Sequence, residues 1–351
     1  MKNILIINVF LIAVSFAACN EIEKYENASL FSFKDFKKTS KLNATTIEFD
    51  EPIMMPLLFV ISDSLLIVQN IRTNNMLFVY NINTKKKVGE FIQWGSGPND
   101  LLRIKNMQLV GSELYISDNQ KRSIYKYNVN DFHKSSNNPV PIQKTEIDAY
   151  FTNLAYTDNG YVATAINLEN KRLIFYSADG EPELATGEYP YYGKELTDFE
   201  KMEGFISSMV VSYKYKRIFL FGMSTDLIEI FDFQGVLLKK LHGPEQLFPQ
   251  VKELRSTEGV SKVSANEKSK FAFFSPIIIA DEIYVAYSGQ HQKKGEESPP
   301  IQHILVFDMD CNPLRRYELL EKIVSFTVEA KTKTIYATSN LPEYHMIKFE
   351  P

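Results

Sequence analysis

Six clusters of strand-like runs, recurring about every 40–50 residues, constrain this chain more than any other feature of it. Each cluster opens with an apolar run, turns, continues through a second, and closes with a third that tends to end in an aromatic followed by Asn or Asp. The first copy reads Leu57–Ile61, Leu65–Val68 and Met76–Asn81; the second Met107–Val110, Glu113–Asp118 and Ser123–Asn128. The third reads Asn153–Tyr156, Tyr161–Thr164 and Leu173–Tyr176, and the fourth Ser208–Val211, Arg217–Phe221 and Leu227–Asp232. The fifth has Pro276–Ala280, Glu282–Tyr287 and His303–Asp308, and the sixth Val324–Val328, Thr334–Thr338 and His345–Phe349. Short runs bounded by Asn, Asp, Gly and Lys are strand and turn signals, and no long amphipathic helix competes with them. The abundance of aromatics, 25 Phe and 19 Tyr, suits pleated surfaces.

The expected fold is therefore all-β: a six-bladed β-propeller over residues 44–351. The sixth copy ends the chain without a fourth strand, and Thr45-Thr46-Ile47-Glu48-Phe49 is left over at the start. Pairing the two would close the ring between N- and C-terminal strands and remove exposed edges. Two insertions interrupt the rhythm, residues 243–270 and 289–300, and in a propeller such insertions map to loops at its faces.

The N-terminus reads as an address. Lys2 precedes an apolar run, Ile4 to Ala18, that is too short to span a bilayer but suits a signal peptide over residues 1–18. Ala17 and Ala18 lead into Cys19, and this stretch resembles the lipobox, whose Cys is acylated after cleavage; Phe16 departs from the usual Leu. The alternative is an ordinary signal peptide with a Cys nearby. Acyl chains would anchor the mature chain to a leaflet of the membrane. Residues 19–43, polar and acidic at first (Asn20 to Glu26), read as the lipidated Cys followed by a flexible tether. They also resemble the acidic export signal of Bacteroidetes surface lipoproteins, which implies the outer membrane, on its periplasmic or cell-surface face. With Cys19 consumed by lipid, Cys311 stands alone, so the core and not a disulfide must hold the exported body. A net charge of −4 argues against nucleic acid as a partner.

Two stretches carry a family resemblance. Trp94-Gly95-Ser96-Gly97-Pro98-Asn99-Asp100-Leu101-Leu102 resembles the Gly-x-Gly-Pro-x-acidic loop of TolB-like six-bladed propeller lipoproteins of Bacteroidetes. Ile283-Tyr284-Val285-Ala286-Tyr287-Ser288-Gly289 resembles a late strand of the same family. The resemblance implies the propeller fold and an envelope location; it implies no reaction and transfers no catalytic residue. The loop also has a plain physical reading: Gly95 and Gly97 at positive φ, Pro98 fixing the bend, and the Asp100 carboxylate accepting backbone N–H bonds. It is no phosphate loop, since neither Gly-Lys-Ser/Thr nor a following helix is present.

The search for chemistry yields little. His133, His242, His291, His303 and His345 lack metal-site spacing, and His303, at a strand start, reads as a packed histidine. No Gly-x-Ser-x-Gly elbow occurs. No catalytic residue, metal ligand or cofactor is assigned. Aromatics in connectors are the better signal. Tyr189-Pro190-Tyr191-Tyr192-Gly193 falls between the third and fourth copies, where clustered tyrosines either contact a sugar or peptide or pack over the gap between blades. Trp94, the only tryptophan, faces the same choice and is expected in the core. The expectation is thus an envelope-anchored, non-enzymatic binding or scaffolding propeller, monomeric, with Tyr189, Tyr191, Tyr192 and Trp94 as candidate contacts to a protein or glycan. The alternative is a calcium-dependent, lactonase-like hydrolase with its metal in the central channel, for which Glu48, Asp118 and Asn340 near strand ends would be the donors.

Overall fold

The computed structural model describes residues 24–351, apart from 52, 54, 72, 134–137, 166–168, 256–260, 266–267 and 292–299. Cys19 and the leader lie outside the described residues, as does most of the 289–300 insertion.

The repeats are six radial sheets. Blade 1 is Pro56–Ser62, Leu65–Asn70, Asn75–Asn81 and Lys86–Gln93; blade 2 is Ile104–Val110, Glu113–Asp118, Ser123–Asn128 and Gln143–Glu146. Blade 3 is Phe151–Thr157, Gly160–Ala165, Leu173–Ser177 and Pro182–Thr186; blade 4 is Ser207–Ser212, Arg217–Gly222, Leu227–Asp232 and Leu237–His242. Blade 5 is Phe273–Ile279, Glu282–Tyr287, Ile301–Phe307 and Pro313–Ile323; blade 6 is Ser325–Val328, Ile335–Ser339 and His345–Phe349. The first strands of successive blades touch in an unbroken ring, that of blade 6 meeting that of blade 1.

A sheet standing radially is covered on both faces, so its middle strands are apolar at every position instead of alternating. Leu65–Asn70 is buried throughout. Leu65, Ile67, Leu77 and Val79 of blade 1 face Leu114, Ile116, Tyr125 and Tyr127 of blade 2. The intervening Leu66, Val68, Phe78 and Tyr80 pack with Met346 of blade 6. The Asn or Asp that closes each third strand also has a cause. Asn81 Oδ1 accepts from the N–H groups of Asn83 and Thr84 at 3.0 and 2.9 Å. Asp232 Oδ1 accepts from Gln234 and Val236 at 2.9 and 2.8 Å, and Asp308 Oδ1 from Asp310 and Asn312 at 2.9 and 2.8 Å. These are Asx-type turns leading into the fourth strand.

The ring closes as a short version of the expected pairing. Thr45–Thr46 lies antiparallel to the third strand of blade 6, with Thr46 opposite Ile347 and Thr45 opposite Lys348. The strand stops there because Ile47 turns into the core and Phe49 packs on Tyr80 at 4.7 Å.

Ahead of it, the structure corrects the reading of residues 19–43 as a flexible tether for the part it describes, residues 24–43. Ala28–Leu30 adds a parallel fifth strand to blade 4, and Lys38–Leu42 does the same for blade 5. A 3-10 turn, Phe33–Asp35, capped reciprocally by Ser32 and Asp35, joins them. Phe31 and Phe36 are buried against Phe307, with ring centroids 5.7 and 5.4 Å away, and Tyr25 is wholly buried. The segment is a belt across the outer edges of blades 4 and 5, held by isolated aromatics between charged residues. It also covers two sheet edges that would otherwise be open.

Candidate functional site

Chain direction sorts the loops between two faces. The turns from first to second strand and from third to fourth strand share one end of the propeller, and apart from residues 129–142 of blade 2 they are short. The connectors from each fourth strand to the next blade gather at the other end: residues 94–103, 147–150, 187–206 and 243–272. Function is expected at such a connector face, since a rigid scaffold there positions variable loops.

The connector between blades 1 and 2 is built by polar anchors. Asp118, fully buried at the end of the second strand of blade 2, uses both carboxylate oxygens on backbone N–H groups. Oδ2 accepts from Leu102 and Arg103 at 2.6 and 3.1 Å, and Oδ1 from Gln120 and Lys121 at 2.9 and 3.0 Å. Lys121 Nζ donates to the carbonyls of Gly97 and Asp100 at 2.7 and 2.6 Å. Asp100 Oδ2 accepts from the Gly97 N–H at 3.0 Å, as the sequence implies. The glycines have a different cause from the one expected. Neither Gly95 nor Gly97 is among the positive-φ residues; a Cβ on either would stand 2.7 or 2.5 Å from Asp100 Oδ2. They are glycine so that the carboxylate can lie against the backbone.

The connector between blades 3 and 4 holds its shape through a buried ion pair. Arg172 donates to Glu229 Oε2 from Nε at 3.1 Å and Nη2 at 2.5 Å. It also donates to the Phe205 carbonyl at 2.8 Å and to Ser207 Oγ at 3.0 Å. Its guanidinium lies 5.3 Å from the Tyr189 ring, whose phenol burial pushes above its usual range. The helix Asp198–Gly204, capped by Thr197 and Glu200, stands on this connector. Against it rests the 243–270 insertion, which forms the hairpin Val251–Arg255 and Ser261–Ala265. The Glu253 N–H donates to Glu200 Oε1 at 3.0 Å, and a Cβ on Gly204 would come within 2.8 Å of Pro249.

The candidate aromatics divide. Tyr192, 2% exposed, is corrected as a contact residue: it packs with Tyr25, Leu196, Phe205 and Leu227, its ring 5.5 Å from Tyr25. Tyr189 is half-buried at the edge of the same cluster. Tyr191 points outward, 44% exposed. Trp94 is corrected in the opposite sense. Expected in the core, it is 63% exposed, because a bridge to Leu101 turns the chain at the strand end and leaves the indole outside the loop. Tyr150, on the connector between blades 2 and 3, is 49% exposed and was not singled out in the sequence. Three successive connectors therefore each present a solvent-facing aromatic, joined by Phe199 on the helix.

The central channel opens at the turn face as a cavity of about 460 Å³. Its wall mixes apolar side chains such as Phe59, Met107, Val211 and Ile277 with polar ones such as Asn106, Gln108 and Ser212. Gln108 is engaged, donating to Tyr213 Oη at 2.8 Å and accepting from the Tyr156 N–H at 2.9 Å. An ion pair between Lys214 and Asp281 stands at the mouth. Among the described residues no three His, Cys, Asp or Glu side chains form a group that could hold a metal ion. Asp118 has spent its oxygens on four N–H groups, and Glu48 is exposed on the link between blades 6 and 1. Neither carboxylate considered for a channel calcium is therefore free to hold one in the channel.

A family model described as TolB-like 6-blade propeller-like matches residues 32–331. Among solved structures, a member of the DUF4221 family from Bacteroides vulgatus superposes with a TM-score of 0.55 at 11% identity, over 88% of this chain and 95% of that one. A protein described as exported, from Bacteroides fragilis, gives 0.56 at 12% identity, over 92% and 99%. The Pan2 WD40 domain of Neurospora crassa gives 0.51 at 11% identity, over 89% and 95%. At such identities these likenesses concern the fold alone. A search of the curated proteins finds no match. No helix among the described residues is long and apolar enough to cross a membrane.

Proposed function

The chain belongs to the TolB-like 6-blade propeller-like family, and from that premise we propose that it is a non-enzymatic binding propeller of the cell envelope. It is anchored to the outer membrane by lipid at Cys19 and offers its connector face to a protein or glycan. One observation carries the reading: Trp94, Tyr150 and Tyr191 stand exposed on three successive connectors, each rooted in buried polar or aromatic anchors. Apart from the Tyr150 hydroxyl, which accepts from Asn119 Nδ2 at 3.4 Å, the exposed rings gain little from the fold, whereas such rings stack on sugar rings and peptide groups with little entropy loss. Rigid blades and pinned connectors keep them preorganised, which lowers the cost of binding.

The test uses the single tryptophan. Envelope polysaccharide fractions and solubilised envelope proteins are titrated against the purified protein while Trp94 emission is followed. A ligand seated on the connector face shifts that emission to the blue. Trp94→Ala, Tyr150→Ala and Tyr191→Ala each weaken capture, by roughly tenfold or more for a residue at the centre of the contact. Capture that survives the triple substitution unchanged refutes the assignment of this face.

A further inference from the structure

We infer that the membrane surface itself covers one sector of this molecule: the connector end of blade 4, around the root of the belt, lies against the bilayer. The inference rests on lipidation at Cys19, as proposed above, and adds an orientation to it.

The argument is one of reach. The chain is fixed to the body from Tyr25 onward. That ring is fully buried between Tyr192 at 5.5 Å, Phe205 at 6.1 Å, His242 at 4.6 Å and Phe248 at 5.0 Å. The next residue, Glu26, donates its N–H to the Tyr191 carbonyl at 3.4 Å. Six residue steps separate Cys19 from Tyr25, and even fully extended they span only about 20 Å. A seven-residue strand such as Pro56–Ser62 is itself about 23 Å tall. The acylated residue therefore cannot reach past the height of a blade. The membrane must lie near the end of blade 4 at which Tyr25 is buried, and the turn face is directed away from it.

What stands at that end suits a headgroup layer. Tyr191, Phe199 and Leu30 are all exposed there. Leu30 pairs with His242, whose ring touches Tyr25, and Phe199 lies on the helix that follows the buried Leu196. Aromatic and aliphatic side chains at the rim of a lipid-tethered body settle at the interface, where an apolar ring meets a polar layer. The neighbouring charges Lys24 and Lys194 are offset by Glu26 and Glu195, so the contact depends on apolar groups and the acyl chains more than on ionic attraction. Tyr191 then borders both the headgroup layer and the ligand contact proposed for the connector face, so that a protein or glycan bound there is one held at the membrane surface.

The experiment uses the full-length, lipidated protein in phosphatidylcholine liposomes doped with a headgroup-quencher lipid. Tyr191→Cys, Phe199→Cys and, on the turn face, Tyr215→Cys are labelled with an environment-sensitive fluorophore; Cys19 is acylated and Cys311 is buried, so the label is specific. The label at 191 and at 199 is expected to be quenched severalfold more than at 215. Inserting about 20 Gly/Ser residues between Glu23 and Lys24 lengthens the leash by roughly 25 Å and abolishes the difference while flotation persists. If the wild type floats no better than Cys19→Ser, the lipid-anchor reading falls and the orientation with it. If the wild type floats and all three positions are quenched alike, the anchor stands and the orientation is overturned. Shielding of 191 and 199 in the unlipidated protein, growing with its concentration, would show a second copy on this surface and equally overturn it.

Discussion

Arg172 and Glu229 sit 4% and 2% exposed, and the connector carrying the tyrosines hangs on them. Replacing Arg172 by Met leaves a carboxylate whose Oε1 has no partner among the described residues and whose Oε2 has lost two donors. It also strips Ser207 Oγ of its donor and leaves the Phe205 carbonyl with the Ser207 hydroxyl alone. An uncompensated buried charge of this kind costs about 3–5 kcal/mol. With a urea m-value of about 3 kcal/mol/M or more for a body of this size, the unfolding midpoint moves down by roughly 1 M. Glu229→Leu strands the guanidinium and costs a comparable amount. The decisive variant is the double one, Arg172→Met with Glu229→Leu, which removes both charges and fills similar volume. Because desolvation offsets most of a buried pair's attraction, the double variant returns to within about 1 kcal/mol of the wild type. The coupling energy across the cycle, from four urea curves, is then several kcal/mol and favourable. Two results refute the reasoning: single variants that each cost under about 1 kcal/mol, or a double variant no more stable than the worse single one.

Three further outcomes are expected. Asp118→Ala, which releases four backbone N–H groups, costs about 3 kcal/mol by urea unfolding and changes Trp94 quenching by acrylamide, whereas Asp118→Asn costs less. Tyr25→Ala costs about 3–5 kcal/mol and opens residues 28–42 to limited proteolysis; Tyr25→Phe stays within about 1 kcal/mol, since the buried hydroxyl has no partner among the described residues. His303, desolvated against Phe33 with Arg316 nearby, has its pKa lowered to about 4. The unfolded chain therefore takes up that proton first as pH falls below 6.5, and stability drops between pH 6.5 and 4 by roughly 3 kcal/mol at most. His303→Gln removes that part of the slope, which urea midpoints taken across this range measure against the wild type.

How much of this was legible in the sequence depends on the range of the interaction that decides each feature. The blades were legible because their signals are local: both-face burial makes a run such as Leu65–Val68 uniformly apolar, and the Asx turns write an Asn or Asp at the end of the third strand. Tyr191 and Tyr192 show where local pattern fails. Adjacent residues on a connector without regular period carry no mark of which side chain turns inward, and that choice belongs to Tyr25, 167 positions away in the chain. The glycines before Asp100 were noticed for the right carboxylate and the wrong reason, since crowding and positive φ leave the same residue behind.

The belt was hidden because Tyr25, Phe31 and Phe36 are spaced among lysines and glutamates, so that composition reads as solvated chain. Only the outer edges of blades 4 and 5, supplied by residues more than 200 positions later, turn those aromatics into anchors. Glu229 did leave a signal: it is the single charge in Leu227-Ile228-Glu229-Ile230-Phe231, inside a strand that a radial sheet must bury on both faces. A charge in such a place requires a partner. Arg172, directly before the apolar run of the preceding blade's third strand, is the neighbour that satisfies it. The same logic joins the belt to the proposed function. A chain meant only to hang from a lipid needs no buried root, and with the proposed anchor at Cys19 a buried root six residues later would convert a leash into a mount that orients the face it holds.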